Sequence, residues 1–220
     1  LLNMRKGLTP SINNIIDAVS TLDAIKSYVL CGGTSLAIQL GHRQSEDLGF
    51  MAWRISKGNK PEVDWPAISK ELENKVGAIE NIDILGFDQV IFLVGGVKIS
   101  FYISDKFAPS MTPIDYIGNI KLAPIEAILA MKLEVMLRRM KFRDYYDVYS
   151  IVKNGGDIAL GIDSAIKYSQ FKLKRKRIVT MLLSGQFDKD SNFKQLNPLY
   201  DVTEEQMRGY LLQKMQEAGI

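Results

Sequence analysis

The segment Gly32 to Phe50, GGTSLAIQLGHRQSEDLGF, constrains the fold more than any other part of the chain. Tyr28 to Cys31 is a short apolar run that stops at two adjacent glycines, Thr34 to Leu40 is helix-like with Gly41 placed to close it, and Ser45 to Trp53 has strand character. A strand, a glycine turn, a short helix and a second strand follow. Two glycines after a buried strand let backbone approach a phosphate, and the next helix offers unpaired N–H groups and a positive end. The segment lacks both the lysine of a P-loop and the third glycine of a dinucleotide fingerprint, so taken alone it reads equally as a tight turn. In the second strand alternation puts Asp47, Gly49 and Met51 on one face and Glu46, Leu48 and Phe50 on the other.

Around this segment the pattern divides the chain in two. Ile12, Ile15, Ile16, Val19, Leu22 and Ile25 recur at helical spacing over Ser11 to Ile25, with Ser11 as the expected cap. Val63 to Val76 is a further expected helix, and Ile82 to Leu85, Gln89 to Val94 and Val97 to Ser104 are expected strands, with Gly86 and Gly95-Gly96 as turns. From Pro124 onward helices dominate: Pro124 to Arg139, Arg143 to Lys153, Ile158 to Tyr168, Lys172 to Leu183 and Thr203 to Ala218. The expectation is an α/β domain over 1–120 followed by a helical domain over 121–220. With 220 residues, 46% of them hydrophobic, the chain can bury a real core. A net charge of +3 is compatible with an anionic ligand but below that of a dedicated nucleic-acid binder. The single cysteine, Cys31, precludes an internal disulfide and fits the cytoplasm. No apolar run is long enough to span a membrane. The chain opens Leu1-Leu2-Asn3 ahead of Met4, which makes the lack of a signal peptide weak evidence.

GGTSLAIQLGHRQSEDLGF resembles the Gly-Gly-Thr, His-Arg and Ser-x-Asp-Leu-Asp-Phe core of the AbiEii/AbiGii-type nucleotidyltransferase toxins. ILAMKLEVMLRRMKFRDYYDVYSI, Ile128 to Ile151, is similar to that family's lysine helix and Lys-Asp-x-x-Asp-Leu motif, in the same order and at a matching separation. The resemblance covers roughly residues 28 to 152. It implies a nucleotidyltransferase fold with a mixed sheet and transfer of a nucleoside monophosphate from a nucleoside triphosphate to an RNA or protein acceptor. It also implies a toxin with an antitoxin partner and dependence on Mg2+, a hard cation that suits oxygen ligands.

Residue by residue, the resemblance assigns Asp47 to the metal, Gly32, Gly33 and Thr34 to a phosphate-contacting turn, and Arg43 and Ser45 to its neighbourhood. Lys132 and Asp144 then join Asp47 as the catalytic set. Gly49 stands where the family has its second aspartate, and the facing set Lys98, Ser100, Tyr102 contains no acid, which leaves a weakened metal site. The alternative function is a catalytically impaired nucleotide- or RNA-binding module on the same fold. Lys132 lies on the apolar stripe of its helix, where its stem either carries the ammonium to the surface or reaches an anionic ligand. Asp144 reads as an acid at a helix start, as a general base, or as an orienter of Lys132. Asp147 and Arg143 are weaker candidates, equally readable as solvated surface. A hydrolase built on Cys31 and His42 and a zinc site on the same pair lack an orienting group and a ligand cluster. The run Lys172, Lys174, Arg175, Lys176, Arg177 reads as a solvated helix face or an RNA grip. Trp53 and Trp65 are expected to be buried.

Overall fold

A computed structural model describes residues 5–220; the opening Leu1 to Met4 lies outside the described residues. Helix α1 spans Pro10–Val19, with Pro at its start and Thr9, not Ser11, accepting the N–H of Ile12, and it buries Ile12, Ile15, Ile16 and Val19. It stops well before Ile25. The hydroxyls of Ser20 and Thr21 donate to the carbonyls of Asp17 and Ala18, and the apolar pattern continues through a 3-10 turn at Ala24–Ser27.

Strand β1, Val29–Leu30, leads into helix α2, Gly32–Leu40, which Gly41 closes in the left-handed region. Strand β2 is Asp47–Trp53, two residues shorter at its start than expected because Ser45 bridges to Leu8 instead. Helix α3, Trp65–Lys75, is capped by Asp64. Strands β3 (Ile79–Ile84), β4 (Gln89–Val94) and β5 (Val97–Ser104) form a meander. Two strands were not anticipated, β6 (Ile114–Ile117) and β7 (Ile120–Leu122). They pair as a hairpin across Gly118-Asn119, a Gly-Asn turn signal flanked by runs too short to stand out by periodicity.

The seven strands make one mixed sheet in the order β3-β4-β5-β2-β1-β7-β6, with β2 parallel to β5 and β1 parallel to β7. The boundary expected at residue 120 therefore falls within β7, whose Leu122 pairs with Leu30. On one face, α1 and α3 cover a core of Leu8, Ile16, Leu48, Phe50, Leu72, Phe92 and Phe101. The other face meets the helical half: α4 (Ile125–Met136), α5 (Phe142–Lys153), α6 (Ile158–Tyr168), α7 (Arg175–Ser184) and α8 (Glu204–Glu217). Val29, Cys31, Leu36 and Ala123 from the sheet half join the core of Ile128, Leu133, Tyr145, Tyr146, Ile162 and Leu211. This contact docks α2 onto α4 and α5, which brings the glycine turn to the lysine helix. Among the described residues no helix is long and apolar enough to cross a membrane.

Candidate functional site

The two glycines do different work. Gly32 sits at φ +68°, a conformation that side chains disfavour, and a Cβ there would point into open space. At Gly33 a Cβ would lie 2.5 Å from Nη2 of Arg43 and 3.4 Å from Oγ of Ser45, so here the missing side chain lets a guanidinium press against the turn. Thr34 and Ser45 are buried and share a hydroxyl hydrogen bond of 2.8 Å, while Thr34 also donates to the Asp47 carbonyl. Both hydroxyls thus tie the turn to the start of β2, and the groups left facing outward at the turn are backbone ones.

Beneath the turn lies a buried charge cluster. Asp147 is 0% exposed: its Oδ1 accepts from Nε2 of His42 (2.7 Å) and Nε of Arg43 (2.7 Å), its Oδ2 accepts from Nη2 of Arg43 (2.9 Å), and Oδ2 forms an ion pair with Nζ of Lys132 (2.6 Å). Lys132 also donates to Oδ1 of Asp144 at 2.5 Å, and Arg139 reaches Oδ2 of Asp144 at 3.2 Å. Burial alone would raise the Asp147 pKa, but Arg43, Lys132 and the His42 hydrogen bond outweigh it and hold the carboxyl well below the usual range. Asp144 is lowered for the same reason, burial being outweighed by Lys132 and Arg139. His42 goes the other way: burial, against the pull of Asp147, lowers its pKa and favours the neutral ring, whose Nδ1 has no partner.

Asp147 is therefore not solvated surface. It is the hub that holds Lys132, Arg43 and His42 together, and three-residue spacing from Asp144 on α5 puts both carboxylates on the flank facing α4. The ammonium of Lys132 does not escape to the surface; with its side chain 7% exposed, the residue lines a cleft of about 280 Å3 together with Cys31, Gly32 and Gly33. Arg43 is 3% exposed and also donates Nη1 to the Gln44 carbonyl (2.8 Å), so it braces the turn from behind. The far wall of the cleft comes from Met51, Tyr102 and Ser104 on the Asp47 face of the sheet, with Lys106 and Tyr168, residues that carried no distinctive pattern in the sequence.

Asp47 stands at the exposed start of β2, opposite Lys98 in register. Surrounding protein thins the water around its carboxyl and, with Glu46 alongside, raises its pKa, against Lys98, Arg143 and Arg43. Gly49 faces Ser100, and Met51 faces Tyr102, so the neighbouring positions on this face hold no second acid. Glu46 is engaged by Nδ2 of Asn192 at 2.8 and 3.1 Å. Among the described residues no group of three His, Cys, Asp or Glu side chains is placed to hold a metal. The donor set thus fits a magnesium ion only with one protein carboxylate, the rest of its shell coming from substrate oxygens and water.

Of the other candidates, Arg143 pairs with Asp190 at 2.9 Å. Nε2 of His42 is committed to Asp147, and burial pushes the Cys31 thiol up, which makes Cys31 a poor nucleophile. Trp53 is partly buried, its Nε1 donating to the Tyr168 hydroxyl at 3.2 Å, but Trp65 is 37% exposed, contrary to expectation.

A mixed sheet with a glycine turn at β1, an acid opening β2 and a lysine returned by a helical half defines a protein of the nucleotidyltransferase fold. The chain belongs to the AbiEii family of nucleotidyltransferase toxins of type IV toxin–antitoxin systems, whose profile matches residues 15–211. It is 23% identical to an uncharacterised protein of Aquifex aeolicus over 206 residues, 92% of this chain and 94% of that protein. Two solved structures share the fold at 19% identity. One, of a candidate nucleotidyltransferase from Helicobacter pylori, has a TM-score of 0.56 and the match covers 98% of this chain and 92% of that one. The other, the nucleotidyltransferase toxin MenT4 of Mycobacterium tuberculosis, has a TM-score of 0.54 with 94% and 86% covered.

Proposed function

We propose that the chain is a cytoplasmic toxin that transfers a nucleoside monophosphate from a nucleoside triphosphate to an RNA acceptor, with the cleft between α2 and α4 as its nucleotide site. The observation that carries this reading is the convergence of Lys132 and the Gly32-Gly33 turn on one cleft, a cation and free backbone N–H groups where a triphosphate needs them. Lys132 donates to Asp144 and pairs with Asp147, which hold its ammonium in place while leaving it a donor for a phosphate oxygen. Asp144 acts as the positioning residue for Lys132, since both its oxygens are engaged and its lowered pKa makes it a poor base. We assign Asp47 to a magnesium ion, which would neutralise charge on the phosphates. Membership of a toxin–antitoxin family supports pairing with an antitoxin, and the resemblance of the two motifs supports RNA as the acceptor.

The test is transfer of label from each of the four nucleoside triphosphates, labelled at the α-phosphate, to total RNA. Wild-type protein should label RNA with at least one of them, and Asp47→Ala, whose side chain makes no hydrogen bond that holds the fold, should not. An Asp47→Ala protein as active as wild type would remove Asp47 from the site. A wild type that binds triphosphate without transferring it would favour the binding-module reading, which the absence of a second acid at Gly49 supports.

A further inference from the structure

Four exposed cations, Lys172, Lys174, Lys176 and Arg177, stand within one short stretch, and among the described residues none of them makes an ion pair. Arg175, between them, pairs with Asp163 at 2.6 Å. The stretch forms the start of α7, the positive end of a helix, with no acid in the first turn and no side-chain cap. Cations there repel one another and the helix dipole, so folding gains nothing from them.

Beside them runs a groove of about 600 Å3 lined by Leu137, Met140, Met181 and the side chains of Lys174, Lys176 and Arg177, with no acid. Two connections join it to the nucleotide cleft. Helix α4 gives Lys132 to the cleft, and the residues after it give Arg138 and Arg139 to the cleft and Leu137 and Met140 to the groove. The end of α6 gives Tyr168 to the cleft, and Lys174 soon after lies in the groove. On that second path Phe171 sits at φ +61° with its surface 68% exposed, fixed by an N–H bond to the Ile166 carbonyl at 2.9 Å. A bulky side chain held in a left-handed conformation and left unburied is not explained by packing.

We propose that this face, from Arg138 and Arg139 across the groove to Lys174, Lys176 and Arg177, binds the phosphate backbone of a single-stranded RNA end and leads it to the cleft. Phe171 offers a stacking surface for a base. Arg138 and Arg139 are held by Glu134 and Asp144, but Lys174, Lys176 and Arg177 are unpaired among the described residues and line a groove without carboxylates beside an aromatic platform, which matches a nucleic-acid strand better than a basic or apolar protein surface. The inference rests on the reading of the cleft as a nucleotidyl-transfer site with an RNA acceptor.

The experiment is fluorescence anisotropy of a labelled single-stranded RNA of about twelve nucleotides, without nucleoside triphosphate, across a salt series. The proteins are wild type, the triple variant Lys174→Ala/Lys176→Ala/Arg177→Ala, Phe171→Ala, and a control with Lys57→Ala/Lys70→Ala/Lys121→Ala on other exposed positions. Thermal midpoints confirm that each is folded. Losing three phosphate contacts at roughly 0.7 each should flatten the slope of log affinity against log salt by about 2 and weaken binding at least about tenfold near 0.1 M salt. Phe171→Ala should weaken binding with the slope unchanged, and the control should match wild type. A triple variant that binds like wild type, or a control that loses as much, overturns the assignment. Triphosphate binding, titrated separately on the same proteins, should be unchanged. If it persists while RNA binding ignores the triple variant, the RNA track falls and the cleft reading stands; a wild type that binds no triphosphate removes the cleft reading, while the RNA titration still decides the track.

Discussion

Replacing Asp147 with asparagine tests the buried cluster at its hub. The side chain is 0% exposed, and its two oxygens accept three hydrogen bonds, one from His42 and two from Arg43, and form an ion pair with Lys132. Asparagine keeps the shape but turns one acceptor into an NH2 group facing cationic donors, and leaves Arg43 and Lys132 with Asp144 as the nearest countercharge. Removing one partner of a buried ion pair costs about 3–5 kcal/mol. In a chain of this size each kcal/mol moves the melting temperature by about 2–4 °C, so Tm should fall by roughly 6–20 °C. Differential scanning calorimetry near neutral pH measures it, with Asp163→Asn as comparison, because its pair with Arg175 is about half exposed and should cost less than about 1 kcal/mol. An Asp147→Asn protein melting within about 2 °C of wild type would mean that the cluster is not what holds α5 against α2 and α4.

Acid should unfold the protein in two stages: His42 has a folded pKa below its ordinary value, so the unfolded chain takes up that proton first and stability falls as pH drops below about 6.5, while Asp144 and Asp147, also lowered, contribute stability that is lost only below about 4. Urea midpoints of His42→Gln should lack the first stage, and parallel losses in the variant and wild type between those values would contradict the assignment. Gly33→Ala should cut triphosphate affinity at least about tenfold, or about 1.4 kcal/mol, in calorimetric titration, because its Cβ would strike a guanidinium pinned by Asp147 and the Gln44 carbonyl; affinity equal to wild type would show that the close approach is dispensable. Gly49→Asp should fold normally, since its Cβ would meet only Ser100 Oγ at 3.7 Å, and should tighten magnesium binding and raise transfer by placing a second carboxylate on the Asp47 face. No change in either would mean that Gly49 does not occupy the second metal position.

The glycine turn, the face carrying Asp47 and the strands β4 and β5 were legible because each is encoded locally, by a φ that glycine adopts at least cost or by alternation within one run. The lysine on the apolar stripe of α4 was legible as an anomaly and Asp144 as one residue to orient it, but its second partner was not. Asp147 looks in sequence like any polar residue on a helix; only the docking of α5 against α2, a contact between segments about a hundred residues apart, turns it into the fully buried receiver of His42, Arg43 and Lys132. The same docking gives Arg43 a buried carboxylate partner behind the glycine turn. Helix α1 ended early because serine and threonine hydroxyls took backbone acceptors that the hydrophobic spacing could not reveal. The far wall of the cleft, with Lys106 and Tyr168, comes from a loop and a helix end that converge only in three dimensions.

The most direct test of the cleft assignment is a crystal structure with a non-hydrolysable nucleoside triphosphate and magnesium. The account predicts phosphates on the backbone N–H groups at Gly32 and Gly33, within hydrogen-bond reach of Nζ of Lys132, and a metal ion on Asp47. A nucleotide bound instead in the separate groove between Tyr28, Trp53 and Met111, or one whose phosphates never approach Lys132, would contradict it.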